Sequence, residues 1–193
     1  MKRLPRWAFA ACLLPLAWLV VRALRDDLGA NPIETVLNRL GLYAFVLLML
    51  TLACTPVHLV FKLNWPLRIR KVLGDFAFFY ASLHLGTWLV LDQGLDLREI
   101  SKDIVKRRFI LVGAATWVLL LPLAVTSTQG WMRRLGFRRW KLLHRLVYLA
   151  GCLACIHFIW RFKTALGTPV AWTCVLLLLL VIRVVAWVKR RRT

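Results

Sequence analysis

Acidic side chains are scarce in this chain: eight Asp and Glu stand against 28 Lys and Arg in 193 residues. Within the long apolar runs carboxylates are almost absent. A transporter wants buried carboxylates or broken helices at the midplane, so that class finds little support. No polar stretch is long enough for a soluble domain. There is no Walker-type or dinucleotide-binding glycine pattern, no zinc-ligand spacing and no nucleophile–base constellation. Any oxidation of NAD(P)H would therefore fall to another protein. An internal repeat and a low-complexity tract are missing too. So is a small-residue cleavage site after Val21, and the N-terminal apolar run is expected to stay as a first transmembrane helix.

What remains is apolar: 61% of residues are hydrophobic and the mean hydropathy is +0.69. Soluble domains lie near 45–50% apolar, so the composition places the chain in the membrane class. The net charge of +20 does not argue for nucleic acid, because the bases flank the apolar runs and form no stripe of their own. Cys12, Cys54, Cys152, Cys155 and Cys174 all fall inside apolar runs, where thiols serve as small packing residues. The Cys152-x-x-Cys155 pair has one residue too many before His157 for covalent haem attachment.

Six segments approach the ~20 residues of a spanning helix: roughly 6–24, 41–61, 73–91, 110–127, 143–161 and 168–188. Turn chemistry separates them, as at Gly29-Ala30-Asn31-Pro32, Asn64-Trp65-Pro66 and Asp92-Gln93-Gly94. The expected fold is an all-α polytopic membrane protein with one domain over residues 1–193. With the N-terminus inside, the inner segments hold Lys2, Arg3, Arg6, Lys62, Arg68, Arg70, Lys71, the Arg133–Lys141 cluster and the basic tail, against one acid, Asp75. That charge bias puts both termini in the cytoplasm. The loop at 92–109 is then the largest polar surface on the outer face and a candidate docking surface for an outer partner.

The chemistry that survives rests on histidine. An imidazole in hydrocarbon is costly unless bonded, and neutral imidazole is a standard axial ligand for haem iron. His84 lies 13 residues beyond Lys71, about 20 Å along a helix, and His157 lies 16 residues beyond Lys141, about 24 Å. These matched depths, in the outer half of the bilayer, would let the two ligate one iron from opposite sides. His144 lies near the inner edge. It stands 13 residues before His157, so the two rings diverge by roughly 140° on an ideal helix. Stacking two haems along that face would require a local distortion. The bland alternative is a set of histidines bonded across a bundle.

His58 reads as an interface residue and Arg145 as an inner-interface arginine within reach of a haem propionate. Gly74, Gly86 and Gly151 suit either a macrocycle's approach or close helix packing. Trp88 and Trp160 fit an interfacial aromatic belt.

Several stretches carry a family resemblance: Leu28-Gly29-Ala30-Asn31-Pro32, Ser82-Leu83-His84-Leu85, Thr126-Ser127-Thr128-Gln129 and Arg133-Arg134-Leu135-Gly136. Trp140-x-x-Leu143-His144-Arg145-x-Val147-Tyr148 and Ile156-His157-Phe158-Ile159-Trp160 continue it in order. Together they resemble the MsrQ (YedZ) family, within the wider ferric-reductase-like transmembrane domains. The resemblance implies a ferric-reductase-like bundle in the bacterial inner membrane, with b-type haem iron held by the residues matching His84, His144 and His157. It implies a quinol or cytoplasmic flavin-reductase donor and an FMN in the redox chain. It also implies a periplasmic molybdopterin-containing methionine-sulfoxide reductase (MsrP-like) as acceptor, in repair of oxidised envelope proteins. The expected role is an electron-transfer subunit without substrate chemistry of its own. The alternatives are a self-contained transmembrane ferric or quinone reductase, or a cofactor-free membrane anchor.

Overall fold

A computed structural model describes residues 5–162 and 167–192. Lys2 and Arg3, counted among the inner charges, lie outside the described residues. The described chain is helical, with no strand: α1 (Arg6–Leu24), α2 (Pro32–Phe61), α3 (Trp65–Gly86), a π-helical continuation (Thr87–Asp92), α4 (Leu97–Lys106), α5 (Phe109–Val125), α6 (Gln129–Leu135), α7 (Phe137–Leu143), α8 (Leu146–Arg161) and α9 (Gly167–Arg192).

Helix α2 begins nine residues ahead of its apolar segment because a cap waits there. The Asn31 side chain accepts from the Glu34 N–H at 3.2 Å, and Pro32 at the first helical position gives up no needed donor. At the other end Lys62 takes a left-handed conformation (φ 57°), and the His58 Nδ1–H donates to the Leu63 carbonyl at 2.9 Å. His58 is thus a local cap. The segment expected at 143–161 is interrupted at His144 and Arg145, between α7 and α8. The break falls at His144 itself, so His144 and His157 do not share one continuous helix. Gly136, at φ 74°, makes the preceding corner between α6 and α7, a conformation that L side chains rarely adopt.

Helices α2 and α3 form one tightly packed pair and α5 and α8 a second; α3 against α5 joins them, with α1 and α9 on the outside. The core is filled by Leu48, Met49, Leu52, Val72, Phe76, Ala77 and Ala150. Leu14 and Trp18 on α1, and Leu177, Leu178 and Val181 on α9, are exposed. Such an apolar exterior is the pattern of a lipid-facing surface. Helices α1 and α2, the α7–α8 run Phe137–Arg161 and Gly167–Arg191 are each long and apolar enough to cross a membrane; α4 and α5, bent by 108°, make a fifth candidate together.

Two polar devices tie the outer helices on. Pro15 interrupts α1, and the buried Tyr80 hydroxyl inserts beside it, donating to the Cys12 carbonyl (2.7 Å) and accepting from the Leu16 N–H (3.1 Å). It thereby takes both members of an i, i+4 backbone pair. Arg183 on α9 donates to the Tyr148 hydroxyl (2.9 Å) and the Leu52 carbonyl (2.6 Å), bracing α9 on α8 and α2.

Candidate functional site

The two helix pairs each present one histidine to the space between them. His84, in the last turn of α3, donates its Nδ1–H to the Leu37 carbonyl of α2 at 2.9 Å. His157, on α8, donates its Nδ1–H to the Phe109 carbonyl of α5 at 2.8 Å. A carbonyl only accepts, so each bond puts the proton on Nδ1 and leaves an unprotonated Nε2 lone pair. Neither Nε2 has a hydrogen-bond partner among the described residues. The rings face each other with centres 6.3 Å apart and planes at 81°.

Both histidines line a cavity of about 840 Å³, within the range of small-molecule and cofactor sites. Its width comes from small residues on four helices: Gly41 and Ala44 of α2, Ala77 and Ala81 of α3, Gly113 and Ala114 of α5, and Ala154 of α8. Phe45, Leu48, Trp117 and Leu120 make the apolar floor, and Arg39, Arg107 and Arg161 stand among the polar lining residues. Arg161 pairs with Glu34 at 3.0 Å and reaches the Asn38 side-chain oxygen at 3.4 Å. Arg39 is exposed and has no ion-pair partner among the described residues.

The π-helical turn after His84 rotates Trp88 inward. Its indole N–H donates to Asp103 of α4 at 3.1 Å, and Arg107 pairs with the same carboxylate. The Arg107 hydrogen bond, helped by that of Trp88, holds the Asp103 carboxyl below its ordinary range. Trp88 is only 8% exposed and lines the cavity wall, whereas Trp160 is 48% exposed.

His144 stands apart. Its Nε2 lies 3.1 Å from Thr126 Oγ1, whose own hydrogen goes to the Pro122 carbonyl, and its ring packs on Trp140 with centres 4.1 Å apart. The Thr126 hydroxyl therefore accepts from Nε2–H, the opposite tautomer to His84 and His157. Arg145 is exposed beside it and does not line the cavity. Of the three glycines singled out from sequence, Gly151 meets Leu52 and Leu176, Gly74 meets Thr51, and Gly86 faces open space. The glycines against the histidines are instead Gly41 and Gly113. The available signal was their position four residues after Leu37 and Phe109 on neighbouring spans, and only the packing gives that meaning.

Among the described residues no three His, Cys, Asp or Glu side chains converge as a metal cluster. Two facing imidazoles cannot complete a coordination shell by themselves. They suit a metal that brings its own equatorial donors, as a haem does. The spacing agrees: two metal–imidazole bonds of about 2 Å, plus about 1 Å from each Nε2 to its ring centre, sum to about 6 Å.

The family described as the ferric reductase like transmembrane component matches residues 40–155, a span holding α3, α5 and most of α2 and α8. The fold and the site thus define a transmembrane component of the ferric-reductase class. Closer relatives are named protein-methionine-sulfoxide reductase heme-binding subunit MsrQ. The chain is 49% identical to that of Rhodospirillum rubrum over 96% of its own length and 89% of the relative's. It is 45% identical to that of Herminiimonas arsenicoxydans (95% and 86%) and 48% identical to that of Ralstonia nicotianae (82% and 72%). The chain belongs to this MsrQ family.

Proposed function

We propose that this chain is the haem-binding membrane subunit of a bacterial protein-methionine-sulfoxide reductase system. One observation carries the reading: His84 and His157 face each other at 6.3 Å across a cavity lined by small residues, each with Nδ1 tied to a carbonyl. In this reading the single domain spans the inner membrane six times with both termini cytoplasmic. The sixth span is α3 with its π-helical continuation, whose basic first half would lie at the inner surface. The cavity then opens on the periplasmic side.

His84 and His157 would hold the iron of a b-type haem through Nε2, which when bound supplies a one-electron redox centre. Burial between the small residues excludes water from it. Arg39, Arg107 and Arg161, which line the cavity, are placed to receive its propionates. A centre in the outer half alone cannot bridge a hydrocarbon core of about 30 Å. His144 and Arg145 are accordingly proposed to flank a second, inner cofactor, a haem or FMN, with the Nδ1 of His144 left free by the Thr126 bond. Electrons would come from the quinol pool or a cytoplasmic flavin reductase. They would leave to a periplasmic molybdopterin methionine-sulfoxide reductase that repairs oxidised envelope proteins.

The test begins with the purified protein in detergent, spectra being taken oxidised and dithionite-reduced after expression with ample haem. Sharp b-type bands, and oxidation of the reduced protein by a molybdopterin methionine-sulfoxide reductase, are expected. A colourless protein would leave only a membrane anchor. Reduction of iron chelates without any periplasmic protein would favour a self-contained reductase.

A further inference from the structure

The two histidines are held by the same device on helix pairs that share no sequence pattern. His84 bonds the carbonyl of Leu37, and its ring lies over Gly41, four residues on. His157 bonds the carbonyl of Phe109, and its ring lies over Gly113, again four residues on. In a helix the carbonyl of residue i and the Cα of residue i+4 lie on one face, a turn apart. An imidazole donating to that carbonyl brings its Nδ1–Cε1 edge against the next turn. A Cβ at Gly41 would stand 3.0 Å from Nδ1 and Cε1 of His84, and one at Gly113 would stand 2.8 Å from the same atoms of His157. Neither ring can retreat without stretching the bond that sets its tautomer.

We infer that Gly41 and Gly113, with the Leu37 and Phe109 carbonyls, are positioning residues that lock the two imidazoles in crossed planes with both Nε2 atoms turned into the cavity. The inference rests on the proposed haem site and adds what orients its ligands. Partners of a ligand's distal nitrogen fix the ring and tune the metal. With the planes crossed at 81°, each imidazole would overlap a different d orbital of a bound iron, which would keep the two orbitals nearly equal in energy. Oxidised low-spin iron so held gives a strongly anisotropic EPR signal, whereas parallel planes give an ordinary rhombic one.

The experiment compares the haem-loaded wild type with Gly41→Ala, Gly113→Ala and, as control, Gly86→Ala, whose added methyl meets nothing within 4 Å. Haem content, EPR and reduction potential are read on each. The expected result is a strongly anisotropic wild-type signal, unchanged in Gly86→Ala. Haem should be lost, or the signal made rhombic with a shifted potential, in the other two, more severely at Gly113. Wild-type spectra and potential in both Gly41→Ala and Gly113→Ala would overturn the inference. Should those variants fail to fold, nitrogen NMR of histidine-labelled, haem-free wild type decides. Protonated Nδ1 on His84 and His157 supports the device, and protonated Nε2 on either one removes it. A wild type that takes up no haem would defeat the proposed function, while the same NMR experiment would still test the positioning.

Discussion

The two ends of the bundle use the same side chain in opposite ways. At the cavity end, His84 and His157 give their Nδ1 protons to carbonyls and leave Nε2 without a hydrogen-bond partner among the described residues. At the other end, His144 gives its Nε2 proton to Thr126 and rests on Trp140 at a break between helices. Position along the spans sets them at opposite ends; the partner of each nitrogen decides what each can do. An imidazole whose Nδ1 is held by the backbone is a prepared Nε2 ligand, and one whose Nε2 is held by a hydroxyl is first of all a structural bond.

The strongest way to break this contrast is to remove the rings in turn. His84→Ala and His157→Ala should each abolish the b-type absorbance of the cavity site, while His144→Ala should leave that site's bands in place. Equal loss from all three, in reduced-minus-oxidised spectra, would dissolve the distinction between the ends. A smaller effect should separate site from scaffold. Tyr80→Phe leaves the Cys12 carbonyl and Leu16 N–H beside Pro15 without their hydroxyl partner, costing about 1–3 kcal/mol. Its thermal midpoint should fall while the haem spectrum keeps its shape.

Thr126→Val tests the other end and should cost about 1 kcal/mol by deleting the His144 bond, with no change in the cavity haem. A changed spectrum would instead link Thr126 to the cofactor. The smallest effect belongs to the surface clasp of α4. Asp103 has its carboxyl pKa lowered from 3.8 by Arg107, so its contribution is complete above the ordinary carboxylate range. That contribution is lost as pH falls through the depressed value, below 3.8. Hydrogen exchange of α4 should quicken there in the wild type but be already quick at neutral pH in Asp103→Asn.

Much of this was legible in the chain. Apolar runs bounded by Asn-Pro, Asp-Gln-Gly and Gly-Thr-Pro marked the helices, because a span must satisfy its backbone internally and can turn only outside it. Counting residues from the flanking bases brought His84 and His157 to one depth, since helical rise is constant, and they do face each other. The same arithmetic set His144 and His157 on different sides of one ideal helix and did not foresee the break at His144.

Other features were not legible. Arg39, Arg107 and Arg161 belong to loops and helix ends that converge only when α2, α5 and α8 pack, so a count along one helix passed them by. Trp88 looked like a belt residue until the π-helical turn swung it inward onto Asp103. Gly41 and Gly113 carry no local signature apart from the histidines over them.

The sequence by itself determined that this is a helical membrane protein, where its apolar helices run and which imidazoles share a level, because hydropathy, capping and helical rise act along one chain. Only the tertiary structure decided which nitrogen of each histidine is free, what holds the rings, and where the space between them lies. Those depend on carbonyls and missing side chains that neighbouring helices contribute.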